Sequence, residues 1–174
     1  MEYVAKHWIA PEALKAAGSC PTTKRKLIFS AFNEKGLLGL VEVILETKPF
    51  IAGVPKAMTI HLEQQRDGKI IFHCNVGKDR AGVLAMLCAS MLGVGDQDII
   101  DDFAKSFCVR SLAEQRYIEI FQGQADPVRF AHASPETMVH TLSYLRQKYG
   151  SIEKYLDSAG FDETWRKRFV YVAT

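Results

Sequence analysis

The chain has 174 residues, a length that suits one domain with a core of useful size. Its composition, 48% hydrophobic and 24% charged, is ordinary for a soluble globular domain and excludes a disordered or fibrous chain. The net charge of +2 gives no reason to expect a nucleic-acid partner, and the longest apolar run, residues 81–95, is too short to span a membrane.

The spacing of the cysteines and the first ten residues indicate the cellular compartment in which to expect the protein. The spacing of the four cysteines is not that of a zinc site or a disulfide framework; they are Cys20, Cys74, Cys88 and Cys108. Residues 1–10 do not show the basic-then-apolar pattern of a secretion signal. We therefore expect a protein of the reducing cytoplasm.

In the first half of the chain, the sequence predicts few secondary-structure elements. Short strands are expected over 3–5 and 27–29, and helices over 11–17, 37–45 and 54–65. Lys48-Pro49 is expected to end the second of these helices. After a turn, residues 69–73 are short, apolar and bounded, which predicts the central strand of a sheet.

The second half predicts almost only helices. They are expected over residues 83–92, 96–107, 111–121, 134–149, 151–159 and 161–171. Asp96 and Ser134 are predicted N-caps, and Gly160 a C-cap. Residues 123–133 are predicted to form a loop.

A ten-residue run joins the predicted strand to the first of these helices: His73-Cys74-Asn75-Val76-Gly77-Lys78-Asp79-Arg80-Ala81-Gly82. It places Cys74 and the amides of residues 75–80 at a helix N-terminus, where partial positive charge lowers a thiol's pKa and binds phosphate oxygens. Gly77 lets the backbone approach the anion, and Arg80 has a planar fork that grips two oxygens. The predicted phosphate-binding residues are Asn75, Val76, Gly77, Lys78 and Arg80.

This layout predicts covalent phosphate chemistry. Cys74 attacks phosphorus, and water then hydrolyses a cysteinyl-phosphate. Asp79 is the candidate general acid, because Asp67, the only aspartate upstream of Cys74, lies in a turn. The loop and Arg80 supply the positive charge, so we predict no metal and no cofactor. His73 is predicted to orient the loop or tune the thiolate. The alternative for His73 is a half-buried histidine of a strand, and the alternative for Cys74 is a buried structural cysteine.

The run resembles the HCxxGxxR[ST]G signature of cysteine-dependent phosphatases. Its Gly-Lys-Asp-Arg core is similar to the HCxxGKDRTG signature of the atypical tyrosine phosphatase family of fungi and bacteria. Segments downstream also resemble that family, and the resemblance covers residues 56–170. These segments are Leu92-Gly93-Val94, Asp98-Ile99-Ile100, and residues 102–106, 134–138 and 149–156.

The resemblance implies an α/β, phosphotyrosine-phosphatase-like domain over residues 1–174, with a small, mostly parallel sheet and a predominantly helical C-terminal half. It implies activity on phosphotyrosine, on phosphoserine or phosphothreonine, and on phosphoinositides, with Asp79 as the acid. Lys78 matches a family lysine that adds charge for multiply phosphorylated substrates. The implied partners are phosphorylated proteins or phosphoinositides. Basic clusters at residues 24–26 and 166–168 are candidates for transient contact with a membrane surface.

The sequence departs from the family pattern at two points, and these affect the predicted activity and the predicted sheet. Ala81 stands where the family has threonine or serine, whose hydroxyl helps the thiolate leave in the second step. The start of the chain also lacks a family segment, which predicts a domain truncated at its N-terminus with an incomplete sheet. The alternative function is therefore a catalytically impaired module that binds phosphorylated partners. A sulfur-transfer enzyme of the rhodanese type fits the Gly-Lys-Asp-Arg core less well.

Overall fold

Helices form the architecture of the part of the chain that the computed structural model describes, namely residues 9, 11–65 and 68–174. In chain order the α-helices are α1 Pro11–Ala16, α2 Pro21–Leu45, α3 Lys48–Gln64, α4 Asp79–Met91, α5 Asp96–Ala104, α6 Arg110–Phe121, α7 Pro127–Ala131, α8 Pro135–Tyr149, α9 Ile152–Ala159 and α10 Glu163–Ala173. A 3-10 helix, Lys105–Val109, links α5 to α6.

The predicted α/β fold with a parallel sheet is wrong, because none of these described ranges contains a β-strand. Residues 69–73, the predicted central strand, have no regular secondary structure, and the Ile71 side chain is 91% exposed. A strand needs a neighbour to accept and donate its backbone hydrogen bonds, and residues 27–29, a second predicted strand, lie inside α2. The third predicted strand, residues 3–5, lies outside the described residues.

Helix α2 contains a kink at Gly36, whose φ of 62° and ψ of −148° are not helical. A positive φ is accessible to glycine without strain, so the chain can turn here between two helical segments. The segment after the kink is the helix predicted for residues 37–45, and it buries Leu37, Val41 and Leu45. Lys48-Pro49, predicted to end the preceding helix, also forms the start of α3, because proline fits the first turn of a helix.

The helices of the second half lie close to their predicted ranges, but Asp96 is the first residue of α5 and not its N-cap, which is Gly95. Ser134 stands at the predicted N-cap of α8, where its side chain makes no capping hydrogen bond. Ser151 and Asp162 cap α9 and α10 by accepting hydrogen bonds from the backbone N–H groups of Lys154 and Trp165. Gly160 ends α9 with a φ of 92°. The predicted loop over 123–133 is wrong in part, because Asp126 accepts from the Val128 amide and caps the short helix α7.

Helix α4 lies at the centre of the main hydrophobic core. Its residues Val83 and Leu87 are fully buried against side chains from α2, α3, α8 and α9, which include Leu45, Ile51 and Leu145. Burying each such side chain contributes roughly 1.5–3 kcal/mol. The N-terminus of α4, where the ten-residue run lies, therefore belongs to a helix that the main core holds on several sides.

A second, smaller cluster lies beside that N-terminus. It is built by α6, α7 and the segment between them: Ala113, Tyr117, Ala125, Phe130 and Ala131. Phe29 and Phe32 of α2 pack against it. Among the described helices, none is both long and apolar enough to cross a membrane.

Candidate active site

Cys74 lies half-buried at the start of a bend that leads into α4. Burial raises the pKa of its thiol, but hydrogen bonds from the backbone of Ala81, Val76 and Gly77 outweigh burial. The net result is a pKa below that of an ordinary cysteine, although the nearby charge of Asp79 raises it. A lowered pKa means a larger fraction of thiolate, which is the nucleophilic form.

Gly77 gives the bend its shape. Its φ of 76° lies in the left-handed region, where a side chain would be strained, and an added Cβ would meet no other atom. Glycine is therefore favoured at this position by the backbone conformation and not by a lack of space for a side chain. The positive φ is part of the local path that brings backbone groups on both sides of Gly77 toward the Cys74 sulfur.

Arg80 lies in the first turn of α4 and is exposed. It lines the same cavity as Cys74, and within the described parts of the chain it forms no ion pair with a carboxylate. An arginine with an unoccupied guanidinium beside a thiol is suited to bind an oxyanion through two parallel hydrogen bonds.

Lys78, in contrast, points into the protein and is fully buried. Its Nζ lies 2.5 Å from Oδ1 of Asp79 and donates to the backbone carbonyl of His132 at 3.1 Å. The neighbouring carboxylate therefore balances the Lys78 charge. The hydrogen bond to the His132 carbonyl ties this loop to the segment that follows α7.

We expect Lys78→Met to lower the free energy of unfolding by about 3–5 kcal/mol, because it leaves the buried Asp79 carboxylate without its cationic partner. Urea denaturation measures the change. The matched control is Lys105→Met, which removes an ion pair with Asp102 whose side chains are 76% and 67% exposed. That control is expected to cost less than about 1 kcal/mol. Equal, small losses in both variants would contradict a stabilising buried pair.

Asp79 is the first residue of α4 and is 8% exposed. Its Oδ1 accepts from Lys78, and its Oδ2 accepts from the phenol of Tyr117. The helix N-terminus favours a negative charge at this position. The carboxyl group also lines the cavity that contains Cys74 and Arg80, so it is near both of those groups.

The other predicted residues lie around this centre. His73 is exposed, and its Nδ1 lies 3.0 Å from the backbone carbonyl oxygen of Cys74, a contact with the loop backbone. Asn75 is exposed and accepts a hydrogen bond from Arg116 at 3.2 Å. Val76 is half-buried and packs against the second hydrophobic cluster. All eight predicted residues thus belong to one loop and the first turn of one helix.

Sequence reasoning missed the two contributions of α6, Tyr117 and Arg116. Tyr117 is buried against Phe121 and Phe130, and burial, followed by the charge of Asp79, raises the pKa of its phenol strongly. Arg116 joins Asn75 to Glu119 of its own helix. Nothing in the spacing of these residues distinguishes them from ordinary core and surface positions of a helix.

An apolar cavity of about 380 Å³ opens onto Cys74, Asp79 and Arg80. Most of its wall is aromatic or aliphatic: Phe29, Phe32, Leu40, Val43, Ile44, Tyr117, Ile120, Phe121 and Phe130. The rings form an ordered set, with the Phe121 and Phe130 centroids 4.9 Å apart in an edge-on arrangement. A polar, anion-binding end and an apolar, aromatic wall therefore share one cavity.

A low-pKa cysteine at the N-terminus of a buried helix, with an arginine in its first turn, is typical of thiol-dependent anion sites. Comparison with known families agrees with this class. The family model described as "Tyrosine phosphatase family" matches residues 34–170, which include the whole site. The chain belongs to the tyrosine phosphatase family.

Two curated relatives support this placement. A tyrosine-protein phosphatase of Nostoc commune is 32% identical over 108 residues, which cover 57% of this chain and 37% of that protein. A candidate tyrosine-protein phosphatase of Cupriavidus necator is 28% identical over 160 residues, which cover 88% of this chain and 56% of that protein. The chain thus spans about half the length, or less, of these two relatives.

Proposed function

We propose that the chain is a cysteine-dependent phosphatase that hydrolyses phosphomonoesters through a cysteinyl-phosphate intermediate. The observation that carries this proposal is the lowered pKa of Cys74 beside the exposed guanidinium of Arg80. Membership of the tyrosine phosphatase family supports it. Because the thiol must stay reduced, a reducing compartment such as the cytoplasm suits the reaction.

In the first step, the Cys74 thiolate attacks phosphorus while the bond from phosphorus to the ester oxygen breaks. Arg80 and the loop amides hold the three remaining oxygens, where charge accumulates in the transition state. Asp79, which is a carboxylate in its pair with Lys78, takes the proton of a phosphate monoanion as the substrate binds and gives it to the departing oxygen, which leaves as an alcohol. The products are a cysteinyl-phosphate and an ionised Asp79.

In the second step, water attacks the phosphorus of the cysteinyl-phosphate. Asp79 takes a proton from that water, and the sulfur–phosphorus bond breaks. Inorganic phosphate leaves with the proton that Asp79 took up, and Cys74 returns as the thiolate. The site residues therefore end the cycle in their starting protonation states, and no cofactor is required.

The cavity favours aryl phosphates as substrates, phosphotyrosine foremost. An aromatic ring attached to a phosphate on Arg80 would lie against the wall that includes Phe121 and Phe130. Phosphoserine and phosphothreonine fill less of this wall. Phosphoinositides, which the family resemblance implies, would present a polar ring to it, and their turnover would include transient contact with a membrane surface.

The test is phosphate release from p-nitrophenyl phosphate by the purified chain in the presence of a metal chelator. We expect turnover that continues well past one equivalent, and inhibition by orthovanadate, a phosphate analogue. A folded chain that binds a phosphotyrosine peptide but releases no phosphate would refute the enzyme and establish the impaired binding module in its place.

Ala81 allows a prediction about the second step. We expect Ala81→Ser to raise kcat by about tenfold, since a hydroxyl one residue beyond Arg80 can donate a hydrogen bond to the departing thiolate. Rapid-quench kinetics measures the change: the native chain shows a burst of one equivalent of p-nitrophenol, and the burst shrinks in the variant.

The matched control is Ala85→Ser, which adds the same hydroxyl one turn further along α4. It is expected to leave kcat and the burst as they are in the native chain. A native chain without a burst, or an Ala81→Ser variant with unchanged kcat, would show that breakdown of the intermediate does not limit turnover.

A further inference from the structure

Helix α6 fixes a tyrosine against the candidate acid. Tyr117 is 4% exposed, and its phenol donates a hydrogen bond to Oδ2 of Asp79. Its ring is stacked on Phe121 with centroids 5.1 Å apart, and the Phe130 centroid lies 6.1 Å away. These contacts hold the ring in place, so the phenol is a donor with a fixed direction.

The second oxygen of Asp79 is fixed from the other side. Lys78 Nζ lies 2.5 Å from Oδ1 and is itself anchored by the carbonyl of His132. A carboxyl group held at both oxygens by donors from two different segments has one orientation in the cavity. Rotation about its side-chain bonds would break at least one of the two hydrogen bonds.

Proton delivery depends on that orientation. A general acid must lie within hydrogen-bond reach of the oxygen that leaves, and Asp79 shares its cavity with Cys74 and Arg80. We infer that Tyr117 is a positioning residue that orients the Asp79 carboxyl group toward the leaving oxygen of the substrate. The inference rests on the proposed phosphatase function and adds to it a residue from outside the loop.

Tyr117 acts in this role as a hydrogen-bond donor and not as an acid. Burial, and then the charge of Asp79, raise the pKa of its phenol, so the proton stays on the phenol oxygen at neutral pH. The other charged groups around Asp79 belong to the loop and to the first turn of α4: Cys74, Lys78 and Arg80. The segment after α7 contributes the His132 carbonyl.

The test compares two substrates that differ in their need for a proton. Phenyl phosphate has a poor leaving group and depends on the acid, whereas p-nitrophenyl phosphate has a good one and depends on it little. For Tyr117→Phe we expect kcat/KM to fall about tenfold on phenyl phosphate and less than about twofold on p-nitrophenyl phosphate. An equal fall on both substrates would overturn the positioning role.

Tyr155→Phe is the matched control. Tyr155 is also fully buried, and its phenol donates to the carbonyl of Leu45 at 2.7 Å, in the main core. This variant loses a buried hydrogen bond of the same kind, so we expect lower stability with an unchanged ratio of the two kcat/KM values. If the control changes the ratio as Tyr117→Phe does, the effect is one of general destabilisation and the inference fails.

A measurement without turnover separates this inference from the proposed function. The carboxyl carbon-13 resonance of Asp79, assigned with Asp79→Asn, reports the hydrogen bonds that this group accepts. We expect the chemical shift of this resonance to change in Tyr117→Phe and to stay the same in Tyr155→Phe. Should the native chain release no phosphate, the proposed function fails. A resonance that does not move in Tyr117→Phe overturns the contact on which the positioning role depends.

Discussion

Replacing Cys74 with serine is expected to abolish phosphate release, with a loss in kcat of at least about 10⁴-fold. The two side chains are close in size, but a hydroxyl keeps its proton where a thiol loses it. The backbone hydrogen bonds that lower the pKa of Cys74 are far too weak to ionise an alcohol at neutral pH. Assays on p-nitrophenyl phosphate at pH 7 measure the loss.

Cys88→Ser makes the same chemical change at a distance from the site. Cys88 lies on α4 against the main core, and burial raises the pKa of its thiol to about 12. We expect this variant to be fully active. Residual activity of Cys74→Ser above a hundredth of the native value would show that another group is the nucleophile, as would an equal loss in Cys88→Ser.

Arg80→Lys is expected to reduce kcat/KM by about 10²–10³-fold, although the positive charge is kept. A guanidinium donates two parallel hydrogen bonds to two phosphate oxygens, and it can follow them as the phosphoryl group becomes planar. An ammonium group donates from a single point and is more strongly hydrated. Steady-state kinetics with p-nitrophenyl phosphate separates the loss in kcat from any change in KM.

Arg116→Lys is the matched control for this prediction. Arg116 is an exposed cation that reaches the loop through Asn75, but it does not line the cavity. We expect a change in kcat/KM of less than about threefold. A similar loss in both variants would indicate that general positive potential around the loop, and not the Arg80 fork, supports the reaction.

Local signals in the sequence predicted the helices of the second half well, but they missed the first part of α2 and predicted a sheet that the described residues do not contain. A cap such as Ser151 or Asp162 acts on its own first turn, so the residues that decide the structure are adjacent in the chain. A strand such as residues 69–73 depends on a partner elsewhere in the chain. Within the described residues no partner strand is present, and an apolar strand-like sequence remains without regular structure.

The difference between local and long-range contacts also explains which site residues could be predicted from the sequence. The loop residues could be predicted because Cys74 and Arg80 stand at a fixed short spacing at a helix N-terminus. Tyr117 lies 38 positions after Asp79, and its contact arises only from the packing of α6 beside the loop. The burial of Lys78 depends equally on the distant His132 carbonyl, so adjacency to the loop alone could not predict that its side chain points inward.

The most direct test of the covalent mechanism is mass spectrometry of the chain after acid quenching during turnover of p-nitrophenyl phosphate. The mechanism predicts one added phosphoryl group on the peptide that contains Cys74, with a smaller fraction modified in Ala81→Ser. Continued phosphate release with no modified peptide, or a phosphoryl group on any other residue, would contradict it.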